Sequence, residues 1–459
     1  MISKKQFIEK IASVINNNEA ALFVAAGLSA STGLPAWSDI LKPCADELGL
    51  QIDHNTDLYM VAQYYENEYG KNELIHKFEK TLNRLNSNSE YLETTLDLGF
   101  REIWTTNYDT TIEDNLKRRK IVPKVIHNDY DLNNFTEGGV HIYKMNGDIT
   151  NPRNMIMSKA DLERYEVTHQ LMLTFFKREL VSKSFIFLGY SFTDTLVLDA
   201  LSSIKNCLQE ASNIHYTILK NEHSKYFDYF IHDLWKRYNI KAILVEDHSE
   251  IPDIIHSIKE KTKERKIFIS GSFDALPHNE DDFADALCKQ FVNTFYSNNY
   301  IILTGMGRKI GNYLSGHAFE YLSQHDIYDI EKKLIMRPFF EKMSVQRKKE
   351  HRKKMIDDCA HAIFIFGKSP FSTGGIAQSI GVMEEFEIAK ELGKNIIAIP
   401  TTGYTAKNIF DEQKRELLKY PYLEMYISTL EKEHDPRKIS QIIIEIVDSC
   451  IKYQNNYLE

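Results

Sequence analysis

The chain has 459 residues, more than one hydrophobic core ordinarily organises, so its length predicts about two or three domains. Its hydrophobic content of 43% and aromatic content of 12% are typical of a globular protein. The net charge of −9 argues against general affinity for nucleic acid, which needs an extended basic surface.

Composition also bears on the location of the protein. No apolar run approaches the roughly 20 residues of a membrane span, and the polar start over residues 1–6 lacks the apolar core of a secretory signal. The cysteines are odd in number, and no two of them stand at a metal-binding spacing. They are Cys44, Cys207, Cys288, Cys359 and Cys450. We therefore expect a soluble, cytoplasmic protein with buried, reduced thiols and no metal site.

In the first half of the chain, apolar strands alternate with helical stretches such as Asp161–Leu180. The predicted strands cover residues 21–25, 102–104, 140–144, 184–188, 216–219 and 241–245. This alternation predicts a mostly parallel, doubly wound α/β sheet.

A charged stretch at residues 259–266 lacks apolar periodicity and is the predicted boundary between two domains. It divides the chain into residues 1–260 and residues 261–459. An alternative interpretation, that the stretch is the solvated end of a helix, moves the boundary by only a few residues.

A second series of strands follows the boundary. These strands lie within residues 266–272, 300–307, 362–367 and 395–400. Short apolar strands with glycine at their carboxyl ends are typical of nucleotide sites in open α/β sheets. The sequence therefore predicts two Rossmann-like, doubly wound α/β domains in tandem, without an internal repeat of sequence.

The first candidate site is predicted from polar residues that follow strands in the first half. Gly27 stands where the first strand turns toward a helix, and its missing Cβ lets backbone N–H groups approach a phosphate. Asn107 and Asp109 are two apart, so in an extended segment both side chains point the same way. Asn107 is expected to hold a ribose hydroxyl or a water, and Asp109 to orient its neighbours. The alternative interpretation, that both residues only form a turn, stays open.

Taken together, these residues resemble the sirtuin family over roughly residues 10–250. The resemblance rests on four stretches, residues 26–35, 105–109, 144–148 and 189–191. It implies a domain that binds and cleaves NAD as its substrate, with Asn107, Asp109 and Asn146 at the catalytic positions. The expected NAD contacts are Ala25, Ala26, Gly27, Ser29, Thr106, Gly189 and Ser191.

Two departures from the family pattern change the expected activity. The chain lacks the four-cysteine zinc module of the protein-deacylating members, which favours plain cleavage of NAD without a metal over an acyl-lysine substrate. Asn146 stands where the family has a catalytic histidine, and an amide cannot accept a proton near neutral pH. We therefore expect binding of NAD with slow or absent cleavage, restored by Asn146→His. Whether Asn146 is natural or engineered stays open, although the intact remainder of the site favours the second.

The second half has its own glycine turns and a basic stretch. The turns lie at residues 271–272 and 305–307, and the stretch, residues 347–354, carries six cationic side chains in eight. On a helix, Arg352 falls four residues beyond Lys348, which places the two in one cationic row. The functional interpretation is an anion clamp in which Arg352 binds phosphate. The alternative is a solvated helix face.

This half resembles the SLOG family of nucleotide sensors. The block from Gly374-Gly375 to Glu384-Glu385 is similar to the family's glycine-rich pattern but lacks its proline and its tight glycine-threonine pair. That departure counts against phosphoribohydrolase catalysis and favours ligand binding. The resemblance implies ligand contacts at Gly271, Ser272, Gly305, Gly307, Arg337, Arg352, Lys368 and Glu385.

A sirtuin-like domain followed by a SLOG domain resembles the effectors of Thoeris anti-phage defence over nearly the whole chain. That resemblance implies a cyclic ADP-ribose isomer, made by a TIR-domain partner, that binds the SLOG domain and relieves inhibition of NAD cleavage. It also implies a homotetramer that stacks into filaments on activation, with no nucleic-acid or membrane partner. Two other functions stay open: a non-catalytic nucleotide sensor that signals by assembly, and a phosphoribohydrolase acting through the SLOG half.

Overall fold

The computed structural model describes residues 2–53, 56–82, 89–134, 138–340, 342–369 and 378–456. The chain forms two compact units, residues 1–261 and residues 262–459. The predicted Gly374-Gly375 turn lies outside the described residues. The charged stretch at residues 259–266 includes the end of a helix that runs to Lys263.

A seven-stranded parallel sheet forms the centre of the first unit. Its strands are β1 (Ala20–Val24), β2 (Glu102–Thr105), β3 (Lys124–Ile126), β4 (His141–Lys144), β5 (Ser184–Leu188), β6 (His215–Lys220) and β7 (Ile240–Val245). Their order across the sheet is β3-β4-β2-β1-β5-β6-β7. The chain therefore builds outward from β1 in one direction and then continues from its other side, so the order reverses between β1 and β5. In open α/β sheets, ligands bind outside the carboxyl ends of the strands at such a switch point.

Helices cover both faces of this sheet. They are α1 (Lys4–Asn16), α2 (Ala26–Ala30), α3 (Trp37–Glu47), α4 (Leu58–Tyr69), α5 (Lys71–Leu82), α6 (Glu90–Leu96), α7 (Thr111–Arg118), α8 (Lys159–Glu163), α9 (Tyr165–Thr168), α10 (Gln170–Ser182), α11 (Thr195–Leu208), α12 (Lys225–Tyr238) and α13 (Ile251–Lys263). Alternate residues of β1 enter different apolar clusters, with Leu22 and Val24 on one face and Ala21 and Phe23 on the other. A third cluster joins α3, α4 and α5 to Tyr108, next to the carboxyl end of β2.

The helix predicted over Asp161–Leu180 is broken into α8, α9 and α10. The last break is fixed from outside the segment. Both carboxylate oxygens of Asp129 accept hydrogen bonds at the start of α10, from the backbone N–H of Leu171 at 3.0 Å and of Met172 at 2.9 Å. A carboxylate that satisfies unpaired N–H groups favours a helix start at that point.

The second unit holds a five-stranded parallel sheet. Its strands are β8 (Lys266–Ser270), β9 (Ile301–Thr304), β10 (Leu334–Met336), β11 (His361–Phe364) and β12 (Asn395–Ala398), in the order β10-β9-β8-β11-β12. Its helices are α14 (His278–Ser297), α15 (Ile310–Gln324), α16 (Val345–Asp357), α17 (Ile380–Glu391), α18 (Tyr404–Arg415), α19 (Ile427–Leu430) and α20 (Pro436–Asn456). The switch point lies between β8 and β11.

The two sheets confirm the predicted class of tandem Rossmann-like α/β domains. The prediction missed β3 and β10, which have three residues each and lie at sheet edges. Its expectation of buried thiols is wrong for Cys207, which is exposed, whereas the other four cysteines are buried. Within the described ranges, no helix combines the length and the apolar character needed to cross a membrane.

Two glycines bring the backbones after β1 and β5 into contact. The N–H of Gly27 donates to the carbonyl oxygen of Gly189 at 3.0 Å. A Cβ on Gly27 would lie 2.8 Å from the Cα of Gly189. Gly189 itself has a φ of 65°, which favours glycine, and a Cβ there would lie 2.4 Å from the backbone nitrogen of Leu28. The switch point therefore closes on backbone atoms, without side chains between them.

Gly27→Ala is expected to destabilise the first unit by about 1–3 kcal/mol, because the added Cβ would overlap backbone that cannot rotate aside. The matched control is Gly316→Ala in α15, where a Cβ meets nothing within 4 Å. That change is expected to stabilise the second unit by about 0.5–1 kcal/mol. Urea unfolding of the full chain measures both changes. A Gly27→Ala protein as stable as the parent would contradict the close backbone approach.

Two strands, β6 in the first sheet and β11 in the second, begin with a histidine whose pKa is lowered by burial. Nδ1 of His215 accepts a hydrogen bond from the backbone N–H of Phe185 at 3.0 Å. Nε2 of His361 lies 3.1 Å from the carbonyl oxygen of Glu264. Burial lowers the pKa of His215 to about 3 and the pKa of His361 to about 4. Both side chains therefore stay neutral in the folded protein at pH values where an unfolded histidine is protonated.

The stability of each unit is expected to fall as the pH falls below about 6.5. At these pH values the histidine binds a proton in the unfolded chain but stays neutral in the folded protein. The loss is about 1.4 kcal/mol per pH unit and continues until the pH reaches the folded pKa. His215→Asn keeps an acceptor for the Phe185 N–H and removes the titration. The variant should therefore lose less stability per pH unit in its first unit than the parent does. Urea unfolding at stepped pH measures the two slopes, and equal slopes would contradict the prediction.

Candidate functional site

The carboxyl ends of β1, β2, β4 and β5 bring together residues that the sequence places far apart. The segments that follow these strands carry the predicted contacts and catalytic positions. They are Ala25, Ala26, Gly27 and Ser29 after β1, Thr106, Asn107 and Asp109 after β2, Asn146 after β4, and Gly189 and Ser191 after β5. Ser191 is exposed, and its hydroxyl lies 2.9 Å from that of Thr193.

A relay of hydrogen bonds fixes the side chain of Asn107. The backbone N–H of Thr111 donates to Oδ1 of Asp109 at 2.9 Å, and the Ser29 hydroxyl donates to Oδ2 of the same carboxylate at 3.0 Å. Nδ2 of Asn107 then donates to the Ser29 hydroxyl oxygen at 2.9 Å. The relay runs from a backbone amide to the end of the Asn107 side chain.

The relay also decides which way the Asn107 amide faces. The Ser29 hydroxyl has a single proton, and it donates this proton in its hydrogen bond to Asp109. Ser29 must then accept from Asn107, which presents its NH₂ group to the serine. The Oδ1 atom of Asn107 therefore takes no part in the relay and is left to accept a hydrogen bond from a ligand.

Asn146 is almost fully buried, with 4% of its surface exposed. Its Nδ2 lies 3.3 Å from the Tyr59 hydroxyl, whereas its Oδ1 is buried without a hydrogen-bond partner among the described residues. A buried acceptor left unpaired costs free energy that a donor from a ligand or water recovers. A hydroxyl-bearing ligand therefore fits this position.

Two aromatic residues beside Asn146 were missed by the sequence analysis. Tyr59 on α4 hydrogen-bonds Asn146, and the ring of Trp37 at the start of α3 meets that of Tyr59 edge to face, with 4.3 Å between centroids. Nε1 of Trp37 is buried and has no partner within the described ranges. Burial raises the pKa of Tyr59 well above its ordinary value, so its hydroxyl stays neutral. No local motif marks either residue, because the helices that carry them lie between β1 and β2 in the chain.

A buried lysine lies beneath the same edge of the sheet. The Lys144 side chain is 0% exposed, and its ammonium donates to the carboxylate of Asp148 and to the carbonyl oxygens of Tyr108 and Asp109. Oε1 of Glu113 lies 3.2 Å from the same nitrogen. The sequence analysis included Lys144 and Asp148 only as part of a motif, and it did not identify Glu113.

Lys144 and Asp148 stay charged despite their burial. Burial alone would lower the pKa of Lys144, but the combined attraction of Glu113 and Asp148 outweighs it and raises the pKa. Burial likewise opposes ionisation of Asp148, yet the Lys144 ammonium holds the pKa of Asp148 below its ordinary value. For Glu113, burial prevails and raises the pKa.

In the second unit, the turns after β8 and β11 lie against each other. The backbone N–H of Lys368 donates to the carbonyl oxygen of Ser272 at 2.9 Å. The Lys368 ammonium donates to the carbonyl oxygen of Ala275 at 3.1 Å. A Cβ on Gly307 would lie 2.1 Å from the carbonyl oxygen of Gly271, so this approach requires glycine at position 307. The predicted ligand residues Gly271, Ser272, Gly307 and Lys368 are thus neighbours at this switch point.

Arg352 is held between two carboxylates and an aromatic ring. Its Nη1 lies 2.6 Å from Oε2 of Glu384, and its Nε lies 3.4 Å from Oε1 of Glu385. The guanidinium lies over the ring of Phe339 at 4.8 Å. Only 12% of the Arg352 side chain is exposed. A Cβ on Gly381 would come within 3.0 Å of Nη2, so a larger residue there would press on the guanidinium.

Glu385 is the buried member of this group, with 7% of its surface exposed. Its Oε2 accepts a hydrogen bond from the Ser270 hydroxyl at 2.6 Å. Burial raises the pKa of Glu385 above its ordinary value. Ser270 ends β8, so the hydrogen bond ties α17 to the strand beside the switch point.

The other predicted ligand residues and the other basic residues lie outside the contact between the turns after β8 and β11. Arg337 follows β10, is exposed, and its backbone N–H donates to the carbonyl oxygen of Thr304 at 2.9 Å. Gly305 lies against Phe339, which would be 3.1 Å from a Cβ there. On α16, Lys349 and Lys353 are exposed, so the solvated-face interpretation describes these two lysines. No group of three or more His, Cys, Asp or Glu suited to a metal occurs within the described residues.

Comparison with known proteins covers both units. A model of the Sir2- and TIR-associating SLOG family matches residues 250–450, and a model of the SIR2-like domain matches residues 101–243. The chain is 29% identical to the NAD(+) hydrolase ThsA of Bacillus cereus (strain MSX-D12), with 97% of each chain covered. It is 30% identical to the NAD(+) hydrolase ThsA of Enterococcus faecium, with 97% of this chain and 98% of that protein covered. The order of the two matched models is the predicted order, sirtuin-like and then SLOG.

Proposed function

The chain belongs to the ThsA family of NAD(+) hydrolases, and on that basis we propose that its first unit binds and cleaves NAD under the control of a ligand held by its second unit. The observation that carries the proposal is the presence of two amide side chains after the neighbouring strands β2 and β4, at the carboxyl edge of the sheet. Asn107 is fixed by the Ser29–Asp109 relay with its oxygen left over, and Asn146 buries an unpaired oxygen. Both oxygens suit the hydroxyl groups of a ribose or an attacking water.

The proposed reaction is hydrolysis of the bond between the ribose and nicotinamide. That bond breaks with its electron pair leaving on the nicotinamide nitrogen, and the ribose passes through an oxocarbenium-like state. Water then adds to the ribose carbon and gives up a proton, so the products are ADP-ribose, nicotinamide and one proton. In this scheme Asn107 holds the ribose or the water, and the side chain at position 146 is placed to receive the proton.

The surroundings of Asn146 predict a slow proton-transfer step. An amide is not a base near neutral pH, and the Tyr59 hydroxyl to which it bonds has a pKa raised well above its ordinary value. Neither group accepts a proton under ordinary conditions. We therefore expect this chain to bind NAD but to turn it over slowly.

Asn146→His is expected to raise the rate of nicotinamide release by about 10²–10⁴-fold, because imidazole supplies the missing base. Nicotinamide release from NAD by the full chain, with saturating activating ligand, measures the change. Asn146→Ala is the matched control, since it also removes the Tyr59 hydrogen bond but adds no base, and it should stay as slow as the parent. Equal turnover by the parent and Asn146→His would contradict the assigned role.

A second candidate function is a nucleotide sensor that binds NAD without cleaving it, and Asn146 is the observation that favours it. The two functions differ in the histidine variant. NAD binding by the parent, with no nicotinamide released by either form, would favour the sensor.

The second unit is proposed to hold the controlling ligand, a cyclic ADP-ribose isomer supplied by a TIR-domain partner. Its support is the description of the matched Sir2- and TIR-associating SLOG family, the enclosed guanidinium of Arg352, and the contact of Ser272 with Lys368 at the switch point of the same sheet. Control requires that the ligand bind the active arrangement of the protein more tightly than the inhibited one. A homotetramer that stacks into filaments is the proposed active assembly, and depletion of NAD in the infected cell is the proposed outcome.

Glu384 already pairs with Nη1 of Arg352, so a ligand phosphate that binds the same nitrogen competes with Glu384. Glu384→Gln is therefore expected to tighten binding of the cyclic ADP-ribose isomer by about two- to fivefold, the worth of a partly exposed ion pair. Arg352→Ala is expected to weaken binding by at least about tenfold, because it removes a charge-assisted contact. Calorimetric titration of the full chain measures both affinities.

Glu387→Gln is the control for that titration, because Glu387 lies on the same helix but pairs with Lys390 at 3.4 Å. It should leave the affinity unchanged. If Arg352→Ala binds the ligand as tightly as the parent, Arg352 is not a phosphate contact.

A further inference from the structure

We propose that Lys144 is a positioning residue for NAD cleavage, because its buried ammonium holds the loop that carries Asn107 against the loop that carries Asn146. The proposal rests on the proposed function of the first unit. It assigns to Lys144 no contact with NAD, and its effect reaches the substrate through the two loops.

The three protons of the ammonium can be accounted for individually. One goes to the carbonyl oxygen of Tyr108 at 3.2 Å, one to the carbonyl oxygen of Asp109, and one to the carboxylate of Asp148. Tyr108 and Asp109 are the two residues directly after Asn107. Lys144 therefore anchors the backbone on which the Asn107 relay is built.

Lys144 also belongs to the chain segment that carries Asn146. Lys144 is the last residue of β4, two residues before Asn146, and Asp148 follows two residues after it. The backbone N–H of Ile149 also donates to the Tyr108 carbonyl oxygen, at 3.0 Å. The loops after β2 and β4 are thus joined by side-chain and backbone bonds that share one carbonyl.

Charge keeps this joint in place. The third proton of Lys144 is used by Asp148, which also balances its charge, so Glu113 at 3.2 Å contacts the ammonium without receiving a proton. Replacing a buried ion pair with apolar side chains is often neutral for stability, so stability alone does not account for the cluster. The two carbonyl bonds do account for it, since a side chain must offer several N–H groups to bind both.

The test removes the joint without leaving a buried charge unpaired. The triple variant Lys144→Met, Glu113→Gln and Asp148→Asn is neutral at all three positions, and it is made in the Asn146→His form of the full chain. We expect it to unfold cooperatively but to show kcat about 10- to 100-fold below the Asn146→His parent, since small misplacements of a catalytic group are that costly. KM should rise by a smaller factor, about three- to fivefold, because the displaced Asn107 amide also loses part of its hold on the bound substrate.

A buried ion pair at the opposite edge of the same sheet supplies the control. Glu179 is buried and pairs with Lys183 at 2.8 Å, directly before β5 begins. Glu179→Gln should leave kcat unchanged. A loss of kcat in Glu179→Gln equal to that in the triple variant would overturn the proposal, because the effect would then be general to the sheet.

Calorimetric titration with NAD, which needs no turnover, separates failure of this proposal from failure of the proposed function. A folded triple variant whose kcat lies within twofold of the parent overturns the positioning role and leaves NAD cleavage standing. If Asn146→His releases no nicotinamide but the same triple substitution in the unaltered chain weakens NAD binding severalfold, NAD cleavage fails and the positioning of Asn107 stands. Unchanged NAD affinity in that case overturns both.

Discussion

The contact between the backbones of Gly27 and Gly189 is the constraint on which the first site depends. It joins the chain leaving β1 to the chain leaving β5, the two strands on either side of the switch point. The segments that carry the candidate site residues Ser29, Asn107 and Asn146 follow β1, β2 and β4, which are neighbours in the sheet. The second unit has a similar close approach of two backbones, because the carbonyl oxygen of Gly271 occupies the space that a Cβ on Gly307 would need. In both units, strand order and glycine together determine where polar groups can meet.

The two sites differ in how their polar groups are satisfied. In the first, Asn146 buries an oxygen that has no partner among the described residues, and the relay leaves the oxygen of Asn107 available. In the second, Arg352 is already bound by Glu384 and Glu385. A ligand therefore completes the first site, whereas in the second it competes with a carboxylate. Under the proposed function, the substrate site is assembled in advance and the sensing site is held closed by its own charges.

The sequence predicted the features that depend on neighbouring residues, and it missed those that depend on contacts between distant segments. Apolar runs located every strand of the two sheets except β3 and β10. Three-residue edge strands such as Lys124–Ile126 carry too little apolar pattern to be recognised, and Asp129 breaks a helix from outside its own segment. Tyr59 reaches Asn146 from a helix more than eighty residues earlier in the chain. Lys144 stood inside a recognised motif, but its role depends on carbonyl groups that only the folded sheet brings beneath it.

The Arg352–Glu384 pair also bears on which molecules could open the second unit. A tethered carboxylate competes with every soluble anion at a local concentration that diffusion cannot dilute. An ordinary phosphate or mononucleotide that reaches Arg352 alone exchanges one partner for another and gains little. A molecule that also engages Ser272 and Lys368 can offset that exchange. Under the proposed function, the pair would favour a ligand that makes several contacts and would keep abundant phosphates and mononucleotides from triggering NAD cleavage.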